Sequence, residues 1–249
     1  MICTWSIINN EIDYLRDVVE HHSWVDKMYF LDTGSTDGSL EYLESIVSDR
    51  IVVEKYHTSY TPEYNVAWEN MVNPFPEIEV RNFALDQVEK LNPDWLIQLD
   101  GDEIFLSKTK SIIETNSRFS VISHSTINPV CSISEHPLEM RKGIRMHDPH
   151  ARIWKAKEGF RYYQNPLQKK QFHCIPMSNG KHLYHHNLNT FIDDKIHFHL
   201  HWMYGKKVDS FFKGLNRQQI INKQTLNEFA AFVPKIFWNR REEWKNEHN

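Results

Sequence analysis

The chain has 249 residues, enough to bury a full core as one large domain or as one domain with an appendage. Its 29 Lys and Arg against 33 Asp and Glu give a net charge of −4, which argues against a general nucleic-acid binder. Its three cysteines are far apart and favour a reducing, cytoplasmic location, and no apolar run approaches the ~18 residues of a membrane span.

Strands and helices alternate over the first hundred residues. Apolar runs predict strands at 2–8, 27–31 and 51–56, and a fourth strand that begins at Trp95 and ends in Asp100. Apolar faces at helical spacing predict helices at 10–21, 40–47 and 77–91. Short links between these elements predict an α/β fold with a mostly parallel central sheet flanked by helices. Ligands of such sheets bind beyond the carboxyl ends of the strands.

The second half of the chain has a less regular pattern. It predicts strands at 120–127, 151–155 and 195–202, and helices at 207–222 and 227–244. No repeat or Gly/Ser linker interrupts the sequence, so we expect one domain over 1–205 with a C-terminal helical tail, 206–249, packed on it. The aromatic residues of that tail are typical of packing, and a membrane-surface or partner-binding face is the alternative.

A polar turn, Asp32-Thr-Gly-Ser-Thr-Asp-Gly-Ser39, follows the second strand. Its simplest interpretation is a capped turn in which Ser35 or Asp37 caps the next helix. It is neither a phosphate-binding loop nor a dinucleotide-binding motif, because the required glycine spacing is absent. The turn nevertheless lies at the predicted ligand edge.

The fourth strand ends in Asp100-Gly101-Asp102-Glu103, three carboxylates within four positions. Crowded like charges raise each other's proton affinity unless a cation or polar groups stabilise the ionised forms. Mg²⁺ and Mn²⁺ prefer carboxylate and phosphate oxygens. The segment therefore predicts a divalent ion holding an anionic ligand, and a solvated acidic turn is the alternative.

Three late histidines, His197, His199 and His201, alternate with bulky apolar residues. On a strand they share one face at roughly 7 Å spacing, so two neighbours can share an ion but three spanning ~13 Å cannot. A half-buried structural histidine is the alternative. Arg81 opens the helix before the acidic strand end, where it is either an exposed helix residue or a contact to a diphosphate across the sheet edge.

Four of these segments together resemble the family 2 glycosyltransferases of the GT-A fold. They are Asn10-Glu11, the D-T-G-S-T-D-G-S turn, Arg81-Asn82-x-Ala84-Leu85 and D-G-D-E. The resemblance covers about residues 1–105, which it identifies as a nucleotide-sugar-binding half, leaving 106–205 as an acceptor half. It implies a GT-A type fold, a nucleotide-diphosphate sugar as donor, Mn²⁺ or Mg²⁺ as cofactor, and hexosyltransferase-type transfer with inversion to a glycan, lipid-linked or protein-linked acceptor.

The resemblance also implies roles for individual residues. Those expected at the nucleotide and donor sugar are Asp32, Asp37, Arg81 and Asp100. Those expected at the metal ion are Asp102, His199 and His201, with His197 held back.

The catalytic base departs from the family pattern. Related enzymes often carry a His-Glu pair in the second half, whereas the counterpart here, Phe172-His173-Cys174-Ile175, contains no carboxylate. Asp148 is our first candidate for the base, with Glu135 and Asp194 as alternatives.

Two other functions stay open from the sequence. A nucleotidyltransferase that makes activated sugars lacks support, because no Gly-rich loop followed by Arg and Lys occurs near the N-terminus. The second alternative is a non-catalytic module that binds a carbohydrate or a partner.

Overall fold

The computed structural model describes residues 1–56, 77–127, 129–130, 139–140, 152–164, 174–179, 181–182 and 188–199. Several predictions therefore lie outside the described residues: Glu135, Asp148, His201 and the helical tail 206–249.

The described secondary structure alternates strands and helices in the first half and is strand-rich in the second. In chain order the strands are β1 (Ile2–Ile8), β2 (Lys27–Asp32), β3 (Ile51–Lys55), β4 (Trp95–Gln98), β5 (Glu103–Phe105), β6 (Val121–Ile127), β7 (Pro129–Val130), β8 (Glu139–Met140), β9 (Ile153–Lys155), β10 (Arg161–Gln164), β11 (Cys174–Ser178), β12 (Lys181–His182) and β13 (Asn189–His199). The helices are α1 (Ile12–His21), α2 (Ser39–Ser45), α3 (Glu77–Glu89) and α4 (Lys108–Thr115).

Eight strands form the central sheet, in the order β3-β2-β1-β4-β9-β6-β13-β5. The first four are parallel, and so are β6 and β13, whereas β9 runs antiparallel to both of its neighbours. Strand β5 closes one edge antiparallel to β13. The predicted α/β class with a mostly parallel sheet is confirmed.

Alternation along the strands builds one apolar core on each face of the sheet. In β4 and just beyond it, Trp95, Ile97 and Leu99 point to one core, which receives α1, α2 and α4. Leu96 points to the other, where Trp5 packs against the buried side of α3. Two-residue periodicity thus places neighbouring residues of a strand on opposite faces of the sheet. The polar side chains follow where the strands end.

Strand β13 and helix α4 differ from the sequence prediction. Strand β13 begins at Asn189, six residues before the predicted start, because its polar first residues pair with β6, as in Asn189 opposite Val121. Helix α4 was not predicted, since its apolar face is narrow and only Thr109 and Ile113 are buried. None of the helices in the described ranges is long and apolar enough to cross a membrane.

A buried histidine links α1 to β5. The Nδ1 of His22 lies 2.6 Å from the carbonyl oxygen of Val18, and its Nε2 lies 3.0 Å from the backbone nitrogen of Phe105. The Phe105 N–H donates to Nε2, so Nδ1 must carry the single ring proton and donate to Val18. The ring is therefore neutral, and burial, with a smaller contribution from nearby positive groups such as Arg50, lowers the pKa of His22 to about 3.

We expect His22 to make the free energy of unfolding fall as the pH drops from about 6.5 towards 3. In that interval the unfolded chain binds a proton at His22 that the folded chain excludes, at up to about 1.4 kcal/mol per pH unit. His22→Gln should cost about 1–3 kcal/mol near neutral pH and flatten this dependence, as measured by urea unfolding at a series of pH values. His21→Gln is the matched control, and equal flattening in both variants would contradict the assignment.

Candidate functional site

Three polar segments meet at one edge of the sheet because β1 pairs in parallel with both β2 and β4. The turn after β1 contacts the turn after β2: Asn9 Nδ2 donates to Thr33 Oγ1 at 3.2 Å, and the Asn10 backbone N–H donates to Ser35 Oγ at 3.0 Å. The acidic segment 100–103 follows β4 on the other side of β1. This is the edge where open α/β sheets bind ligands.

Asp32 ends β2 with a side chain that is 1% exposed. Its Oδ1 accepts the backbone N–H groups of Gly34, at 2.8 Å, and Ser35, at 3.1 Å, which holds the turn closed. Its Oδ2 is buried and has no hydrogen-bond partner among the described residues. Because burying an unpaired carboxylate oxygen is costly, this atom is suited to a donor supplied by a ligand.

Asp37 lies between α1 and α2 and binds the start of each helix. One oxygen accepts from the backbone and hydroxyl of Ser39, at 2.9 and 2.6 Å, and the other from the backbone N–H of Ile12, at 3.1 Å. These bonds satisfy orphan amides at the starts of both helices. The N-cap of α2 is Gly38 rather than the expected Ser35 or Asp37, so Asp37 bonds the start of this helix from one residue further out. A nucleotide contact of Asp37 stays a prediction.

Gly101 is where the turn after β1 packs onto the acidic segment. A Cβ placed there would lie 2.8 Å from Glu11 Cγ and 3.0 Å from Ile8 Cδ1, closer than side chains tolerate. Glycine is thus required by close approach, which brings Glu11 against the D-G-D turn.

The carboxylates of Asp100 and Glu103 share one cation, Arg152. Its Nη2 donates to Asp100 Oδ2 at 3.0 Å and to Glu103 Oε1 at 2.9 Å, and the other oxygen of Glu103 accepts the Asp100 backbone N–H at 3.0 Å. Glu103 therefore binds the Asp100 backbone directly and the Asp100 carboxylate through the shared arginine. No sequence motif pointed to Arg152, and the available signal was a cation at the start of a buried strand.

Arg81 lies beside the same cluster on the α3 side. Its Nε donates to Glu77 at 2.8 Å, and its guanidinium covers the Tyr162 ring at 5.2 Å. The side-chain amide of Gln98 is oriented with its nitrogen towards the Tyr162 hydroxyl and its oxygen towards the two arginines. In this orientation Gln98 Oε1 accepts from Nη1 of Arg81 at 2.7 Å and from Nη1 of Arg152 at 2.5 Å. One buried amide thus joins both arginines.

Asp102, His197 and the backbone of His199 also lie beside the acidic segment. Asp102 is buried near Tyr14, whose pKa is raised by burial and, to a smaller extent, by the Asp102 charge. The backbone of His199 pairs with that of Glu103, which brings this strand alongside the segment. His197 is fully buried, stacks on Phe105 at 4.2 Å, and has its Nε2 3.4 Å from Glu103 Oε1.

A preassembled metal site is absent from the described part of the chain, where no three His, Cys, Asp or Glu side chains are arranged to hold an ion. The predicted ligand His201 and the predicted base Asp148 lie outside it, as does the side chain of His199. Asp102 and the backbone of His199 are the members of the predicted metal set that the structure places. Their metal-binding roles stay predictions.

We expect Gly101→Ala to destabilise the fold by about 1–3 kcal/mol, because the added Cβ overpacks the contact with Glu11. Chemical denaturation would measure this loss. Gly101→Ala combined with Glu11→Ala should recover part of it, since the closest clash is with Glu11 Cγ. A double variant that is no more stable than Gly101→Ala would contradict this origin of the strain.

The structure is similar to that of S. aureus TarS. It matches the TarS fragment 1–349 with a TM-score of 0.52 at 13% sequence identity, over 81% of this chain and 61% of the fragment. It matches the longer TarS structure with a TM-score of 0.51 at 12% identity, over 80% of this chain and 36% of TarS. This likeness confirms the predicted α/β fold of GT-A type.

The chain thus spans about three fifths of the TarS fragment and little more than a third of the longer TarS structure. No protein-family model matches the sequence. No curated protein matches it in sequence either.

Proposed function

We propose that this chain is a metal-dependent, family 2-type glycosyltransferase that moves a sugar from a nucleotide-diphosphate sugar to an acceptor hydroxyl with inversion. The observation that carries the proposal is the placement of Asp32 and the 100–103 segment on either side of β1, at the carboxyl edge of three parallel strands. Asp32 supplies a buried acceptor oxygen, and the 100–103 segment supplies three carboxylates. In a GT-A type fold this pairing suits a nucleoside at one end and a diphosphate at the other.

The nucleoside end of the proposed donor site is built on Asp32. Its Oδ2 can accept an N–H or O–H from the base or the ribose, while its Oδ1 remains bound to the turn amides. Asp100, with a side chain 36% exposed, is proposed as the ribose or sugar contact. Arg81 is proposed to face the phosphates, and Asp37 to hold the turn that frames them.

The carboxylates at this edge support a proposed divalent cation. Carboxylate oxygens at a ligand edge suit Mn²⁺ or Mg²⁺, which commonly take one or two protein carboxylates and complete their shell with phosphate and water. We propose Asp102 as the carboxylate ligand, with His199 and His201. A bound ion would stabilise negative charge on the leaving diphosphate.

The proposed transfer exchanges one bond at the anomeric carbon for another. The acceptor oxygen forms a bond to that carbon as the bond to the diphosphate oxygen breaks, and the nucleoside diphosphate leaves with the electron pair. A carboxylate opposite the leaving group takes the hydroxyl proton, worth about 10²–10⁴-fold in rate. Asp148 is proposed for this role, with Glu135 and Asp194 as alternatives.

The acceptor class follows from the same proposal. A glycan, a lipid-linked sugar or a protein-linked sugar each supplies the hydroxyl that the reaction needs. Peripheral membrane contact through the C-terminal helices is proposed for the lipid-linked case, since aromatic and basic residues mix in 206–249.

We expect Asp102→Asn to abolish metal-dependent binding of the nucleotide and transfer, because an amide is a weaker ligand than a carboxylate for a hard ion. Thermal shifts with UDP-, GDP- and dTDP-sugars, with and without Mn²⁺, measure this binding. Asp86→Asn, an exposed carboxylate on α3, is the matched control and should keep the wild-type response. Undiminished transfer by Asp102→Asn would contradict the metal role.

Two further measurements separate the other functions. Pyrophosphate release from a nucleoside triphosphate and a sugar phosphate would identify a nucleotidyltransferase. Carbohydrate binding that ignores both metal and nucleotide would identify a binding module.

We expect Asp32→Asn to raise the nucleotide Kd roughly 10- to 100-fold while leaving the free protein as stable as the wild type or more so. Asn can keep the bonds to the turn amides through its oxygen, but its NH₂ replaces the buried acceptor. Titration calorimetry and denaturant unfolding measure the two effects. A destabilised variant with unchanged nucleotide affinity would show that Asp32 serves only the turn.

A further inference from the structure

We propose that Arg152 is a positioning residue for the donor site, acting through the carboxylate of Asp100. The inference rests on the proposed function, since it assigns Asp100 to the donor. It adds a residue from the second half of the chain to a site that the sequence motifs place entirely in the first half.

Both terminal nitrogens of the Arg152 guanidinium are bound by other side chains. Its side chain is 7% exposed, its Nη2 binds Asp100 and Glu103, and its Nη1 lies 2.5 Å from Gln98 Oε1. The backbone adds a further tie, because the Gln98 N–H donates to the Arg152 carbonyl at 2.8 Å. A planar guanidinium held this way has one orientation, which a lysine ammonium on a flexible stem would not have.

The two carboxylates that share Nη2 differ in their surroundings. Glu103 is 1% exposed and also accepts the Asp100 N–H, so it belongs to the interior. Asp100 is 36% exposed and lies at the edge where the ligand is expected. The buried contacts therefore anchor Arg152, and Arg152 in turn holds the exposed carboxylate through Oδ2.

This arrangement separates two effects of the same cation. Arg152 compensates the buried charge of Glu103, which governs folding stability, because an unpaired buried charge is strongly destabilising. It also orients Asp100, which governs donor affinity. A variant that removes both the charge on Glu103 and the arginine should therefore restore folding stability but not donor affinity.

The test compares Arg152→Met with Arg152→Met/Glu103→Gln, using UDP, GDP or dTDP with Mn²⁺ as the probe. Arg152→Met should lower the Tm by about 10 °C and raise the Kd of the nucleotide roughly 10- to 100-fold. The double variant should recover most of the Tm but not the Kd. Arg152→Lys should give an intermediate Kd, since an ammonium cannot reproduce the three contacts of the guanidinium.

Arg161→Met is the matched control. Arg161 pairs with Glu89 at 2.7 Å and Asp86 at 3.0 Å between β10 and α3, so its loss should lower the Tm without changing the Kd. A double variant that recovers the Kd with the Tm, or an Arg152→Met variant with wild-type Kd, would overturn the positioning role. Wild-type protein that binds no nucleotide with Mn²⁺ would instead overturn the proposed function, and this inference with it.

Discussion

The parallel pairing of β1 with both β2 and β4 is the constraint on which the site depends. Parallel neighbours end at the same edge, so two acidic segments nearly seventy residues apart in sequence lie on either side of the turn after β1. The alternation of side chains fixes this register, because a one-residue slip would move Ile97 into the core on the opposite face and bring Gln98 into the core that Ile97 now fills. Core packing and ligand geometry are therefore set by the same pairing.

Concentrated negative charge at this edge is balanced mostly by the protein itself. Asp37 is occupied by capping bonds, Glu103 by Arg152 and a backbone amide, and one oxygen of Asp32 by two turn amides. The second oxygen of Asp32 differs from these atoms, because it is buried with no hydrogen-bond partner among the described residues. A buried acceptor left open points to a ligand more strongly than an exposed carboxylate does.

Local pattern predicted the fold and the acidic edge, because both follow from short-range periodicity and strand order. Strands β1 to β4 and helices α1 to α3 have apolar faces that read directly from sequence, and the 100–103 segment stands out by charge. Arg152 could not be predicted, since its contact spans about fifty residues and depends on where β9 inserts in the sheet. The burial of His197 against Phe105 likewise depends on the pairing of β13 with β5 rather than on its own neighbours.

The insertion of β9 between β4 and β6 has a consequence for the order in which the molecule is made. As the chain leaves the ribosome, β4 and the carboxylates that follow it emerge about fifty residues before Arg152. Until β9 arrives, the edge of β4 that faces away from β1 is unpaired, and the carboxylate of Glu103 lacks the Arg152 guanidinium that it binds in the folded protein. The donor side of the site therefore matures late in synthesis, although every motif that marks it is translated early.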